Sequence, residues 1–201
     1  MKKYIIGAAL LVLGALVVFS ISNTTHAESL EIGKKAPSFS LKDPDGVEHS
    51  LDEYLSSKYA VVMFIATQCP ISNDYNERMA TLYADYSPRG ISFVGINSNK
   101  QEDAAEVKEH AAKNSFKFDV LKDWNNVVAD EYGAQVTPEI FVLDDNGTVV
   151  YHGRIDDSRN PEKIKTHDLR ETLDALLAGK AVQRAETKAF GCTIKRVKKE
   201  S

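Results

Sequence analysis

The feature that most constrains this chain is an abrupt change of pattern at residue 69. Residues 60–65 read AVVMFI, an apolar run rich in β-branched side chains that suits a strand buried on both faces. The run ends at Thr67-Gln68. Cys69 and Pro70 come next, and then Tyr75, Met79, Leu82 and Tyr86 recur at helical spacing. Proline is favoured at the first helical position, where its missing N–H is no loss, so Pro70 places Cys69 at or beside the N-cap. The unpaired N–H groups and the positive dipole end there favour a thiolate over a thiol. The junction predicts a reactive cysteine. A buried cysteine packing as a small hydrophobe is the alternative.

At 201 residues the chain has the length of one domain with a sizeable core, and 43% hydrophobic with 27% charged residues is a globular composition. The N-terminus differs. Lys2 and Lys3 precede an almost wholly apolar stretch, residues 4–19, and Thr25-His26-Ala27 offers small residues where a signal peptidase reads them. Residues 1–27 therefore read as a secretory signal peptide cut after Ala27. An uncleaved membrane anchor is the alternative, since the stretch approaches the ~20 residues that span a bilayer. Either way the remainder is exported, to the periplasm or the extracellular space, and touches the membrane only through that anchor.

Removing the leader takes away two lysines and no acid, which moves the net charge from −4 to −6. An acidic domain has no electrostatic case for binding nucleic acid. The basic run Lys195, Arg196, Lys198, Lys199 is expected to be a solvated tail. The two cysteines, Cys69 and Cys192, both follow the leader, in a compartment where disulfides persist.

Along the chain, Phe39 and Leu41 alternate with polar residues, turn through Asp43–Gly46, and return at Val47 and His49 as a β-hairpin. Residues 51–55 suit a short helix capped by Ser50. The helix after Cys69 stops at Ser87-Pro88-Arg89-Gly90, and residues 91–96 form a second buried strand, giving a βαβ unit with parallel strands. A helix is expected over residues 101–114, a strand over 118–121 and a short helix over 124–132. Residues 140–143 and 149–154 flank an Asp145-Asn146-Gly147 turn, the strongest hairpin signal present. A last helix over 167–177 closes at Gly179. The Arg154-Ile155-Asp156-Asp157 segment reads as a salt-linked surface turn. The sum is an α/β sheet covered by helices.

Residues 64–70 before a helix, Val136-Thr137-Pro138 before a strand, and the Asp-Asn-Gly turn resemble the thioredoxin-like superfamily. More narrowly they resemble its redoxin branch, the alkyl hydroperoxide reductase/thiol-specific antioxidant (AhpC/TSA) proteins and their exported thiol–disulfide relatives. The likeness covers residues 32–177, and Phe190-Gly191-Cys192 is similar to a tail on some exported members. It implies a thioredoxin-like fold, a central mixed β-sheet flanked by helices with an N-terminal β-hairpin extension. It divides the chain into the leader, a redoxin domain over 28–180, and a tail over 181–201 carrying Cys192. It further implies that Cys69 is the nucleophile and Pro138 a cis-proline beside it, leaving the Thr137 backbone free to pair with an extended substrate.

The departures shape the expected chemistry. No second cysteine lies close to Cys69, because the chain reads Cys69-Pro70-Ile71-Ser72 and has Ala66 three residues upstream. Ala66 also stands where peroxiredoxins carry a threonine that orients the peroxide; Thr67, one residue later, joins Thr137 and Pro138 as a substrate-binding candidate. Glu139 stands where they carry an arginine, and Arg154 lies in the next strand. Cys192 is read first as the resolving cysteine, with a structural disulfide to Cys69 or an unrelated role as alternatives. Asp74, Glu77 and Glu139 are candidates for proton transfer, though acids in a helix's first turn also serve its dipole. The five histidines form no i, i+4 pair and no cluster with cysteine, so neither a metal nor a cofactor is called for.

The expected function is therefore an exported thiol–disulfide oxidoreductase that cycles between free thiols and a Cys69–Cys192 disulfide. Its partners would be protein thiols or disulfides, or hydroperoxides, together with an electron donor the sequence does not name. Two alternatives stand beside it: a thiol-dependent hydroperoxide reductase, and a non-catalytic thioredoxin-like binding module locked by a structural disulfide.

Overall fold

A computed structural model describes residues 30–199. The leader expected at residues 1–27 lies outside them. Among the described residues no helix is long and apolar enough to cross a membrane.

The apolar run becomes β3 (Tyr59–Phe64), an interior strand of a seven-stranded mixed sheet. It pairs in parallel with β4 (Ile91–Asn97) and antiparallel with β7 (Glu139–Asp144). Side chains alternate across a strand, so β3 feeds two cores. Val61 and Met63 face Met79, Leu82, Tyr86, Leu169 and Leu173, while Val62 and Phe64 face Val128, Tyr132 and Phe141. Beyond β4 lie β5 (Asp119–Lys122), β1 (Ser40–Lys42) and β2 (Glu48–Ser50); beyond β7 lies β8 (Val149–Gly153). The N-terminal hairpin is thus not a separate flap, since β1 continues the sheet by pairing Lys42 with Lys122.

Helices cover both faces. α1 (Leu51–Leu55) starts at Ser50, whose N–H donates to the Glu53 carboxylate. The helix expected from Pro70 onward is split into α2 (Pro70–Asn73) and α3 (Asn76–Tyr86), yet Tyr75, Met79, Leu82 and Tyr86 are all buried as their spacing requires. α4 (Ala104–Lys113) begins three residues later than expected, with Asp103 as its cap. The expected helix after Trp124 is a tight turn followed by α5 (Val127–Glu131), because Asn125 and Asn126 adopt φ of 65° and 58°. α6 (Asp168–Leu177) is the last helix among the described residues, and Gly179 (φ 65°) closes it.

Two expectations about charge are corrected. Asp156 is buried rather than at a surface turn, because Arg78 of α3 reaches it with hydrogen bonds of 2.8 and 2.6 Å. The basic tail is anchored in part rather than wholly solvated: Arg196 pairs with Asp130 at 2.6 Å and Lys199 with the same carboxylate, while Lys195 and Lys198 are exposed. Burial pushes the Asp130 carboxyl upward, but hydrogen bonds and charge from Lys199 and Arg196 outweigh it and hold the group below its ordinary value.

Candidate active site

Cys69 is the N-cap of α2 with Pro70 at the first helical position, and the Ser72 N–H lies 3.2 Å from Cys69 Sγ. Ser72 is itself fixed, since its hydroxyl accepts the Ala66 N–H at 3.2 Å and so joins the end of β3 to the helix. Opposite the sulfur runs β6 (Val136–Thr137), where the Thr137–Pro138 bond is cis and the Thr137 carbonyl oxygen is 3.5 Å from Cys69 Sγ. Against β6 lies β9 (Cys192–Thr193), antiparallel, with Thr137 opposite Cys192. Cys69 and Cys192 form a disulfide across 123 positions of sequence, their Cα atoms 5.9 Å apart. That separation is the ordinary one for a bridged pair.

The tail is fastened on both sides of Cys192. Upstream, Ala185 and Thr187 bond to the His152 backbone at 2.9 and 3.0 Å, and the Thr187 hydroxyl meets Tyr151 and the Arg154 N–H. Phe190 packs edge-to-face on Tyr75, with ring centroids 6.2 Å apart. Downstream, Ile194 is buried and donates to Gln135 O, Lys195 N donates to Asn99 Oδ1 at 2.7 Å, and Val197 N donates to Asn126 Oδ1 at 2.7 Å.

Glu102, which periodicity placed inside a helix, is fully buried below the cysteine loop. Its carboxylate accepts the N–H groups of Thr67 (2.8 Å) and Gln68 (3.2 Å) and the side-chain amides of Asn97 and Asn99. Asn99 also holds Lys195, so one short loop positions the approach to Cys69 and the tail beyond Cys192. Lys122 braces that loop from below, donating to Asn97 Oδ1 and Asn99 O, and its burial lowers its pKa. The sequence does hold a signal for this arrangement. Asp103 with Glu106 three residues on is a capping pattern that starts the helix at Ala104 and leaves Glu102 outside.

The remaining candidates, apart from Glu77, are already engaged. The Thr67 hydroxyl donates to Glu106 at 2.8 Å, and Arg154 pairs with Asp168 at 2.8 Å. Asp74 pairs with Arg159 at 2.6 Å, and Glu77 is exposed. Glu139 accepts the N–H groups of Gln135 (2.7 Å) and Val136 (3.0 Å) and meets His152 Nε2 at 2.7 Å, so it braces β6. His110 contacts Asn73 and Asn76 beside the start of α3, and burial holds its imidazole below the usual range. Among the described residues no group of three His, Cys, Asp or Glu side chains could hold a metal ion.

The profile of the AhpC/TSA family matches residues 32–152. The chain is similar to the thiol-disulfide oxidoreductase ResA of Geobacillus thermodenitrificans (strain NG80-2), with 30% identity over 159 residues, 79% of this chain and 88% of that protein. Among solved structures it superposes on an uncharacterized conserved protein from Geobacillus kaustophilus with a TM-score of 0.80, at 34% identity over 85% of this chain and 95% of that one. A hypothetical protein from Sinorhizobium meliloti 1021 gives 0.78, also at 34% identity, over 85% and 97% of the two chains.

Proposed function

The chain belongs to the AhpC/TSA family, and on that premise we propose that it is an exported thiol–disulfide oxidoreductase with Cys69 as nucleophile and Cys192 as resolving cysteine. The observation that carries this reading is the Cys69–Cys192 disulfide, seated at a helix N-cap beside a cis-proline. Protein thiols and disulfides are the substrates. A substrate disulfide is attacked by the Cys69 thiolate, which is stabilised by the Ser72 N–H and the helix terminus. Cys192 then attacks the Cys69 sulfur, releases the product thiol and restores the observed disulfide. Thr137 and Pro138 form the wall against which the substrate lies, and Thr67 shapes the entry to it.

Disulfide exchange is favoured over peroxide reduction because the two groups that would activate a peroxide are turned elsewhere. The Thr67 hydroxyl is held by Glu106 and the Arg154 guanidinium by Asp168. Export rests on the leader at residues 1–27.

Thiol labelling of the purified protein across a series of redox buffers is the test. A midpoint between about −120 and −270 mV is expected, the range of catalytic pairs. A midpoint below about −300 mV would make the disulfide a permanent structural link and end the proposal.

A further inference from the structure

The tail of this chain lies along the β6 edge that the proposed mechanism gives to the substrate. β9 pairs antiparallel with β6, placing Thr137 opposite Cys192 and Val136 opposite Thr193. Gly191, just before the cysteine, packs so closely on the Thr137 carbonyl that a Cβ there would collide with its carbon and oxygen and press on the Pro138 nitrogen. Phe190, two residues before the cysteine, fills the space over Tyr75. Cys69 is only 4% exposed beneath this cover, so no external disulfide reaches it while the tail is down.

We propose that residues 190–193 are a built-in surrogate of the substrate, and that the site, once open, takes an extended polypeptide whose disulfide-bonded cysteine follows an aromatic residue and a glycine. This deepens the oxidoreductase reading and rests on it. The glycine requirement comes from the Thr137 carbonyl, which leaves no room for a side chain on the preceding residue. The aromatic preference comes from the exposed edge of the Tyr75 slot once Phe190 withdraws. Backbone pairing along β6 supplies affinity without further sequence demand.

Surrogate and substrate then exchange strand for strand. The Cys69 thiolate attacks the peptide cysteine's sulfur; a Cys69–peptide disulfide forms, the peptide's own S–S bond breaks, and its former partner leaves as a thiolate. The Cys192 thiolate next attacks Cys69 Sγ. The Cys69–Cys192 bond forms, the Cys69–peptide bond breaks, and the peptide leaves as a thiol after taking a proton from water. The protein has lost two electrons and the substrate disulfide has gained them. Because β9 takes the same edge of β6, the step that resolves the bond also displaces the peptide's hydrogen bonds.

The test is a single turnover of the reduced full chain with two peptides, Phe-Gly-Cys-Thr-Ile and Phe-Val-Cys-Thr-Ile. Each is presented as its mixed disulfide with thionitrobenzoate, whose release is coloured, and the simple disulfide of thionitrobenzoate serves as the non-peptide control. The glycine peptide is expected to react faster by about tenfold or more, the discrimination one clashing side chain gives. In Gly191→Val, checked for folding by circular dichroism, the tail cannot seat. Both peptides should then react faster than with the natural chain, with the glycine preference kept. Equal rates for the two peptides, with the non-peptide disulfide still consumed, would overturn the surrogate while leaving the oxidoreductase reading intact. If Cys69 consumes none of the three disulfides, the oxidoreductase reading itself fails.

Discussion

Glu102→Gln is the substitution that most directly tests how the site is held. The carboxylate is fully buried and serves four donors, two on each oxygen. One oxygen takes the Thr67 N–H and the Asn97 amide; the other takes the Gln68 N–H and the Asn99 amide. Glutamine has the same shape, but its NH2 must face one of these donor pairs. Two hydrogen bonds to a charged group are lost, each worth about 1.5–3 kcal/mol, and the two donors are left without acceptors. Relaxation of the loop recovers part of that, so a loss of about 3–4 kcal/mol is expected. For a domain of this size each kcal/mol moves Tm by roughly 2–4 °C, so the melting point should fall by about 10 °C. Urea unfolding followed by circular dichroism gives the free energy directly, in oxidised and reduced protein. A loss below about 1 kcal/mol, comparable to a surface substitution, would refute the argument that this carboxylate organises the loop.

Three further outcomes are expected. Cys192→Ser opens a loop spanning 123 positions, and the chain-entropy model puts the loss near 5 kcal/mol relative to the oxidised protein. The difference should vanish when the natural protein is reduced before urea unfolding. Asp156→Ala strands the largely buried Arg78 guanidinium and should cost about 3–5 kcal/mol by the same measurement, with most of it restored in Arg78→Met/Asp156→Ala. Asp130 is held below its ordinary pKa in the folded chain, so its anchorage of the tail is complete above the unfolded value of about 3.9 and is lost as pH falls through the depressed folded value. Exchange protection of the Val197 amide should follow that course, and protection unchanged throughout the acid range would contradict it.

What the sequence made legible was local. The strand, the cysteine and the proline of the first helical turn are neighbours, so residues 60–70 sufficed to place Cys69 at an N-cap. The hairpins at Asp43–Gly46 and Asp144–Gly147 were equally readable, since their turn residues act on their own backbone. Nothing local in the sequence brings Cys192 to Cys69: the even cysteine count suggests the pair without placing it. What escaped notice depends on partners far along the chain. Arg78 finds Asp156 across a separation of 78, and Asn99 finds Lys195 across 96. Periodicity treats Glu102 as one more polar residue of a helix, because a buried carboxylate and a solvated one look alike until their donors are known. The tail's basic residues misled for the same reason: Asp130 is visible in the sequence, its position opposite Arg196 is not.

The clamps on either side of Cys192 have a consequence for which reductants the protein can use. With residues 185–187 pinned to His152 and residues 194–197 pinned to Gln135, Asn99 and Asn126, a reduced Cys192 hangs on a short tether at each end. Its local concentration at Cys69 is on the order of millimolar or more, whatever the concentration of thiol outside. A monothiol that opens the disulfide by forming an adduct with the half-buried Cys192 leaves Cys69 held beside it and is expelled before a second molecule arrives, and the disulfide closes again. A dithiol carries its own second sulfur and escapes that competition. The protein should equilibrate readily with dithiol partners and remain oxidised among monothiols of the same potential, a kinetic selectivity set by where a tail is tied down.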